Sequence, residues 1–157
     1  TLLANWKILM LSKFLKSFNE KEEKNNEHSF ESDLYNLIYE IIIADHEITQ
    51  DEINLASDLV TFYFNIPLQE NKRNFQELAD NQHFNTDLSK FSYRLKTSLT
   101  YKQRMDVILI CWQVLMVDGK EDQLEVSTVR KLSTLLGLED KDFILIRNRV
   151  KDSLWPT

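Results

Sequence analysis

Two acidic pairs at matched spacing, Asp45 with Glu52 and Asp118 with Glu125, are the residues of this 157-residue chain most able to hold a divalent cation. Each Asp closes an apolar run, and each Glu follows its Asp by seven residues. Ca²⁺ and Mg²⁺ both take oxygen ligands, Mg²⁺ keeping several waters in its octahedron. Two carboxylates at a helix–helix corner, completed by backbone carbonyls and water, could begin such a site. Packing of the two corners about a pseudo-two-fold could bring all four together, with Asp51 and Asp122 in reserve. The same spacing also has a structural reading. Glu52 stands three residues after Thr49, and Glu125 three after Asp122. This is the separation of a capping box, in which the carboxylate reaches back to a free backbone N–H and contributes about 1 kcal/mol. Asp45 and Asp118 could likewise satisfy amides in the turn and favour the positive end of the next helix. Capping is the stronger reading, and the spacing does not match an EF-hand loop.

The elements that carry these residues occur twice. Ile43-Ala44-Asp45-His46-Glu47 recurs, 73 residues on, as Met116-Val117-Asp118-Gly119-Lys120. The apolar lead-ins superpose as well, Leu34, Leu37, Ile38, Ile41 and Ile42 on Val107, Ile110, Cys111, Val114 and Leu115. A second amphipathic run follows each turn, with Ile53, Ala56, Leu59 and Phe62 inward in one copy and Val126, Val129, Leu132 and Leu135 in the other. A helix–acidic turn–helix unit of this size cannot bury its own apolar face. Duplication therefore predicts a hairpin folded against its twin.

The rest of the chain supports an all-α reading, a bundle of seven or eight helices. Only 2 Gly and 2 Pro occur in the whole sequence, too few for a turn-rich β fold. Ser32 or Asp33 is expected to cap a helix reaching Ala44, and Thr49-Gln50-Asp51-Glu52 to open one reaching Phe64. Ile66-Pro67 separates that helix from a less periodic one over 68–81, with Leu68, Phe75, Leu78 and Ala79 inward. Asn85-Thr86-Asp87 offers caps for a helix carrying Leu88, Phe91, Leu95 and Leu99. Thr100 with Gln103 caps a helix ending near Val117, and Asp122 caps one stopped at Gly137. The last helix runs from Glu139 to about Asp152, with Phe143, Ile146 and Val150 inward. The main domain spans 29–157, with repeats at about 34–66 and 107–139.

Residues 1–28 form a separate N-terminal region. Leu2 to Phe18 is apolar with Lys7, Lys13 and Lys16, and Asn19 to Glu27 reads as a polar linker. Met10 would serve as a start, with residues 1–9 upstream of it. The apolar stretch is too short and interrupted to span a membrane. It could lie on a membrane surface as weak peripheral contact or, the plainer reading, pack on its own bundle.

With both copies laid out, the chain resembles the tellurite-resistance TerB-like family, whose repeated signature is an Ala-Asp-Gly turn followed by a glutamate. The likeness runs from about residue 30 to 151 and is strongest in the C-terminal half. Leu88 to Leu99, Thr100 to Arg104, Trp112 to Gly119, Glu125, Asp142-Phe143-Ile144 and Arg149-Val150 resemble a stand-alone bacterial branch of that family. The resemblance implies two helical pseudo-repeats, a cytoplasmic bacterial setting, a link to stress and tellurite responses, and metal association at the acidic turns. It implies no enzymatic activity. His46 replaces the turn glycine of the first copy, and Glu121 stands where an apolar residue is usual.

A net charge of −6 argues against nucleic-acid binding, which depends on neutralising phosphates. One cysteine, Cys111, excludes an internal disulfide and a multi-cysteine metal cage; its place in an apolar run marks it as a small hydrophobe. Trp112 reads as packing, and Arg147, Arg149 and Lys151 as a solvated strip. His28, His46 and His83 make no metal motif, and no nucleophile or phosphate loop is recognisable. The expected function is a non-catalytic module acting through contact with another protein or a second copy of itself. Ca²⁺ or Mg²⁺ at Asp45, Glu52, Asp118 and Glu125 could tune it. The alternative is a metal-dependent enzyme or metal carrier on the same carboxylates.

Overall fold

The computed structural model describes residues 30–44, 48–81, 88–116 and 123–154, all helix or short connection. Among these described residues seven helices follow in order: α1 (Phe30–Ile42), α2 (Gln50–Phe64), α3 (Leu68–Asp80), α4 (Leu88–Ser98), α5 (Tyr101–Leu115), α6 (Gln123–Leu135) and α7 (Asp140–Leu154). No strand occurs among the described residues, so the all-α expectation holds. The N-terminal stretch Leu2–Phe18, the linker after it and the caps expected at 85–87 and 122 lie outside the described residues.

Helices α1 and α5, the lead-ins of the two copies, form the centre. Leu34, Leu37, Ile38, Ile41 and Ile42 are buried, and so are their counterparts Val107, Ile110, Cys111, Val114 and Leu115. Burying such a side chain contributes about 2 kcal/mol, so the matched register decides where both helices sit. The two pack on each other. Helix α1 is also covered by α3, α4 and α6, and α5 by α2, α4, α6 and α7. Trp112 packs against Phe143 of α7, ring centroids 5.7 Å apart, as expected of a core tryptophan. Phe143, Ile146 and Val150 face inward on α7.

The units are not equivalent hairpins. In the second, α5 packs along α6, whereas in the first α1 and α2 make no extended contact. Helix α2 lies instead on α3 and on α5 of the other copy. Its inward face also differs from expectation. Ile53, Ala56, Ser57 and Val60 are buried, but Phe62 is 74% exposed. The reason is geometric: steps of three residues slip by about 60° per step, so the third step carries Phe62 to the opposite side from Ile53. In α6, Val129 and Leu132 are buried, as is Leu136 just after it, while Leu135 is only half-buried.

Local signals set most of the described ends. Thr49 Oγ1 accepts from Glu52 N at 3.2 Å while Glu52 Oε1 accepts from Thr49 N at 3.0 Å. Thr100 and Gln103 repeat this box at 3.2 and 2.9 Å. Asn65, at φ 58, ends α2 before Pro67. Gly137, at φ 73, closes α6: its N–H donates to Thr134 O and that of Leu138 to Ser133 O, the paired bonds of a Schellman motif. Helix α1 departs from expectation, since it already runs at Phe30 and places Ser32 and Asp33 in its first turn.

A polar cluster joins three helices. Asn71 of α3, fully buried, accepts from Tyr35 Oη at 2.6 Å. Its amide donates to Thr61 Oγ1 at 2.8 Å, Ile66 O at 3.1 Å and Ser57 O at 3.2 Å. One side chain thus ties α1, the end of α2 and the bend before α3. Asn71→Ala strands these buried groups and is expected to lower the unfolding free energy by about 2–3 kcal/mol, against about 1 for Tyr35→Phe. Urea denaturation measures both; equal small losses would show that the cluster restrains nothing.

Candidate functional site

Of the four carboxylates expected at the acidic turns, the structure describes one side chain. Glu52 is buried, and its Oε1 accepts from both the N–H and the hydroxyl of Thr49, at 3.0 and 2.9 Å. It is a capping residue, whatever else it does. Glu125 lies on α6 with its side chain outside the described part, and Asp45, Asp118 and His46 lie outside the described residues. A cation at the first turn would therefore share a carboxylate already engaged with the backbone. Among the described residues, no three His, Cys, Asp or Glu side chains come together as a metal site.

The structure reveals a further acidic pair that the sequence reading passed over. Asp33 and Asp106 are buried and stand 73 residues apart, the spacing of the duplication. Their partners differ. Asp33 Oδ1 binds Arg94 Nη2 of α4 at 2.7 Å, closing an ion pair across 61 residues. This tertiary partner, not the helix start, holds Asp33, the residue expected as a cap. Asp106 has Lys102 of its own helix at 3.4 Å, and the lysine side chain is largely exposed. Burial pushes the Asp106 carboxyl above its ordinary value, against the pull of Lys102. A signal for the pair was present, since both precede the first matched apolar position of their copy.

A polar groove of about 350 Å³ lies between α1 and α3, lined among others by Glu31, Tyr35, Glu70, Arg73 and Glu77. Burial, and then the charges of Glu31 and Glu70, raise the Tyr35 phenol well above its ordinary value, so it stays a neutral donor to Asn71. At the start of α5, Tyr101 Oη donates to Asp142 and accepts from Glu139 N, which fastens the start of α7. Arg104 donates to Leu136 O at 2.6 Å, a cation at the negative end of α6. Cys111 is fully buried, its thiol pushed up to about 12 by burial, so it packs as a neutral group.

Nearly all of both lead-in helices, both capping boxes and the acidic turns fall inside a single match. The sequence model of the family described as Tellurite resistance protein TerB matches residues 31–148. The chain belongs to the TerB family. No curated protein and no solved structure matches it. The TerB match encloses the first helix almost whole and ends within α7, and the helical architecture agrees with it. Among the described residues, no helix of this TerB domain is long and apolar enough to cross a membrane.

Asp106 gives a pH test. A carboxyl raised in the folded state favours folding while protonated, below the ordinary value of 3.8, and that contribution is lost as pH rises through its raised value. Asp106→Asn is therefore expected to raise the melting temperature at about pH 7 and to lose the advantage near pH 3. Thermal denaturation across that range checks it; an unchanged difference at both ends would mean that burial of the charge is not the cause.

Proposed function

We propose that this TerB domain is a non-catalytic module that acts through contact with another protein. The observation behind this reading is the face of α7, where Ile144 and Leu145 are 47% and 44% exposed beside Asn148 and Arg149. Large apolar side chains held on a rigid helix and edged by polar groups suit a protein interface. Several of the described polar and thiol groups are engaged in structure: Asp33 with Arg94, Glu52 in its cap, Asn71 in its cluster and Cys111 in the core. Ile144→Glu/Leu145→Glu leaves the core untouched. A discrete protein held in stoichiometric amount by the wild type should be lost by this variant, while equal capture by both would end the reading.

The finer part of the proposal is tuning by Ca²⁺ or Mg²⁺ at Asp45, Glu52, Asp118 and Glu125, in the stress-response setting the family name suggests. It draws support from the repeated spacing and from oxygen-only ligands suited to hard cations. Calorimetric titration with Ca²⁺, Mg²⁺, Zn²⁺ and Mn²⁺ tests it on the wild type and on Asp45→Asn/Asp118→Asn. Binding at roughly micromolar Kd that the double change abolishes supports the cation role. Absence of binding, with a fall in melting temperature in the variant, assigns the aspartates to capping alone.

A further inference from the structure

One side of α2 carries Asp51, Leu55, Asp58 and Phe62, of which Leu55 alone packs partly against the core. At about 100° per residue these fall within roughly 60° of one another, a single stripe along the helix. Asp51, Asp58 and Phe62 are exposed, and Leu55 is half-buried. The Phe62 ring meets the half-buried Tyr63 ring edge-on at 4.9 Å, which anchors the exposed phenylalanine at the end of the stripe. No ion pair among the described residues engages Asp51 or Asp58. The stripe therefore presents apolar area and two negative charges together.

We propose that residues 2–18 of this same chain dock along this stripe, with apolar side chains over Leu55 and Phe62 and lysines against Asp51 and Asp58. Three observations favour that occupant. The segment carries Lys7, Lys13 and Lys16 with no acidic residue between Leu2 and Phe18, within a chain of net charge −6. The chain enters the bundle at the right place: the Phe30 ring that opens α1 lies 6.4 Å from Phe64, at the Phe62 end of α2. The reach is sufficient, since residues 19–29 can extend roughly 35 Å and α2 is only about 22 Å long. A tether of this length gives an effective concentration on the order of millimolar, so the chain's own segment outcompetes a second copy at ordinary concentrations. The proposal concerns α2 and stands apart from the contact face on α7.

Amide hydrogen exchange of the full chain at low micromolar concentration tests it. Residues 2–18 should be protected in the wild type, and Phe62→Glu should speed their exchange about tenfold or more while α5 keeps its protection. Asp58→Lys should do the same through charge alone, and it decides the matter if Phe62→Glu also loosens α5. Lack of protection in the wild type, or protection that neither variant changes, overturns the proposal. So does protection that disappears on dilution, which would make a second copy the occupant.

Discussion

The packing of α1 on α5 is the contact on which the rest of this bundle depends. Each helix is buried around most of its circumference, and each buries five apolar positions at the matching register of its copy. Helices of this kind are unstable alone, because nothing covers their apolar surface in a monomeric hairpin. Once they pair, α2, α3, α4, α6 and α7 can each cover a remaining strip. The caps at Thr49 and Thr100 fix where α2 and α5 begin, and the Schellman closure at Gly137 where α6 ends.

Buried polar groups give this core its particular arrangement. The Asn71 cluster and the Asp33–Arg94 pair each join elements far apart in sequence, and each leaves a costly orphan if the elements shift. Asp106 occupies the equivalent register without an equivalent partner. Helix α4 supplies an arginine to the first copy, while among the described residues the second copy pairs Asp106 with Lys102 of its own α5. The duplication is thus conserved in pattern along the chain and broken in its surroundings. The same asymmetry appears in α2, which leaves its own lead-in helix for that of the other copy.

The repeat, the capping boxes, the helical class and membership of the TerB family were all legible in the residues. Each depends on spacing along one stretch of chain, which a sequence preserves. Asn71 was not legible, because a lone asparagine in a polar helix looks solvated until three acceptors converge on it. Phe62 was misplaced for a different reason. Three successive steps of three residues end about 180° from where they began, so helix geometry alone sets Phe62 opposite Ile53. Of the four acidic-turn residues, the spacing located Glu52 in its cap, and the contact that holds it is local.

What the sequence determined by itself, then, is which segments are helices, where several of them begin and end, and which residues of the two lead-ins face the core. These follow from hydrogen bonds and periodicity within about four residues. The tertiary structure alone decided which helix covers which, that Asp33 is held by Arg94 and Asp106 is not, and that the far side of α2 is left open. Those outcomes depend on which surfaces remain uncovered after α1 and α5 have met, and no local pattern encodes that.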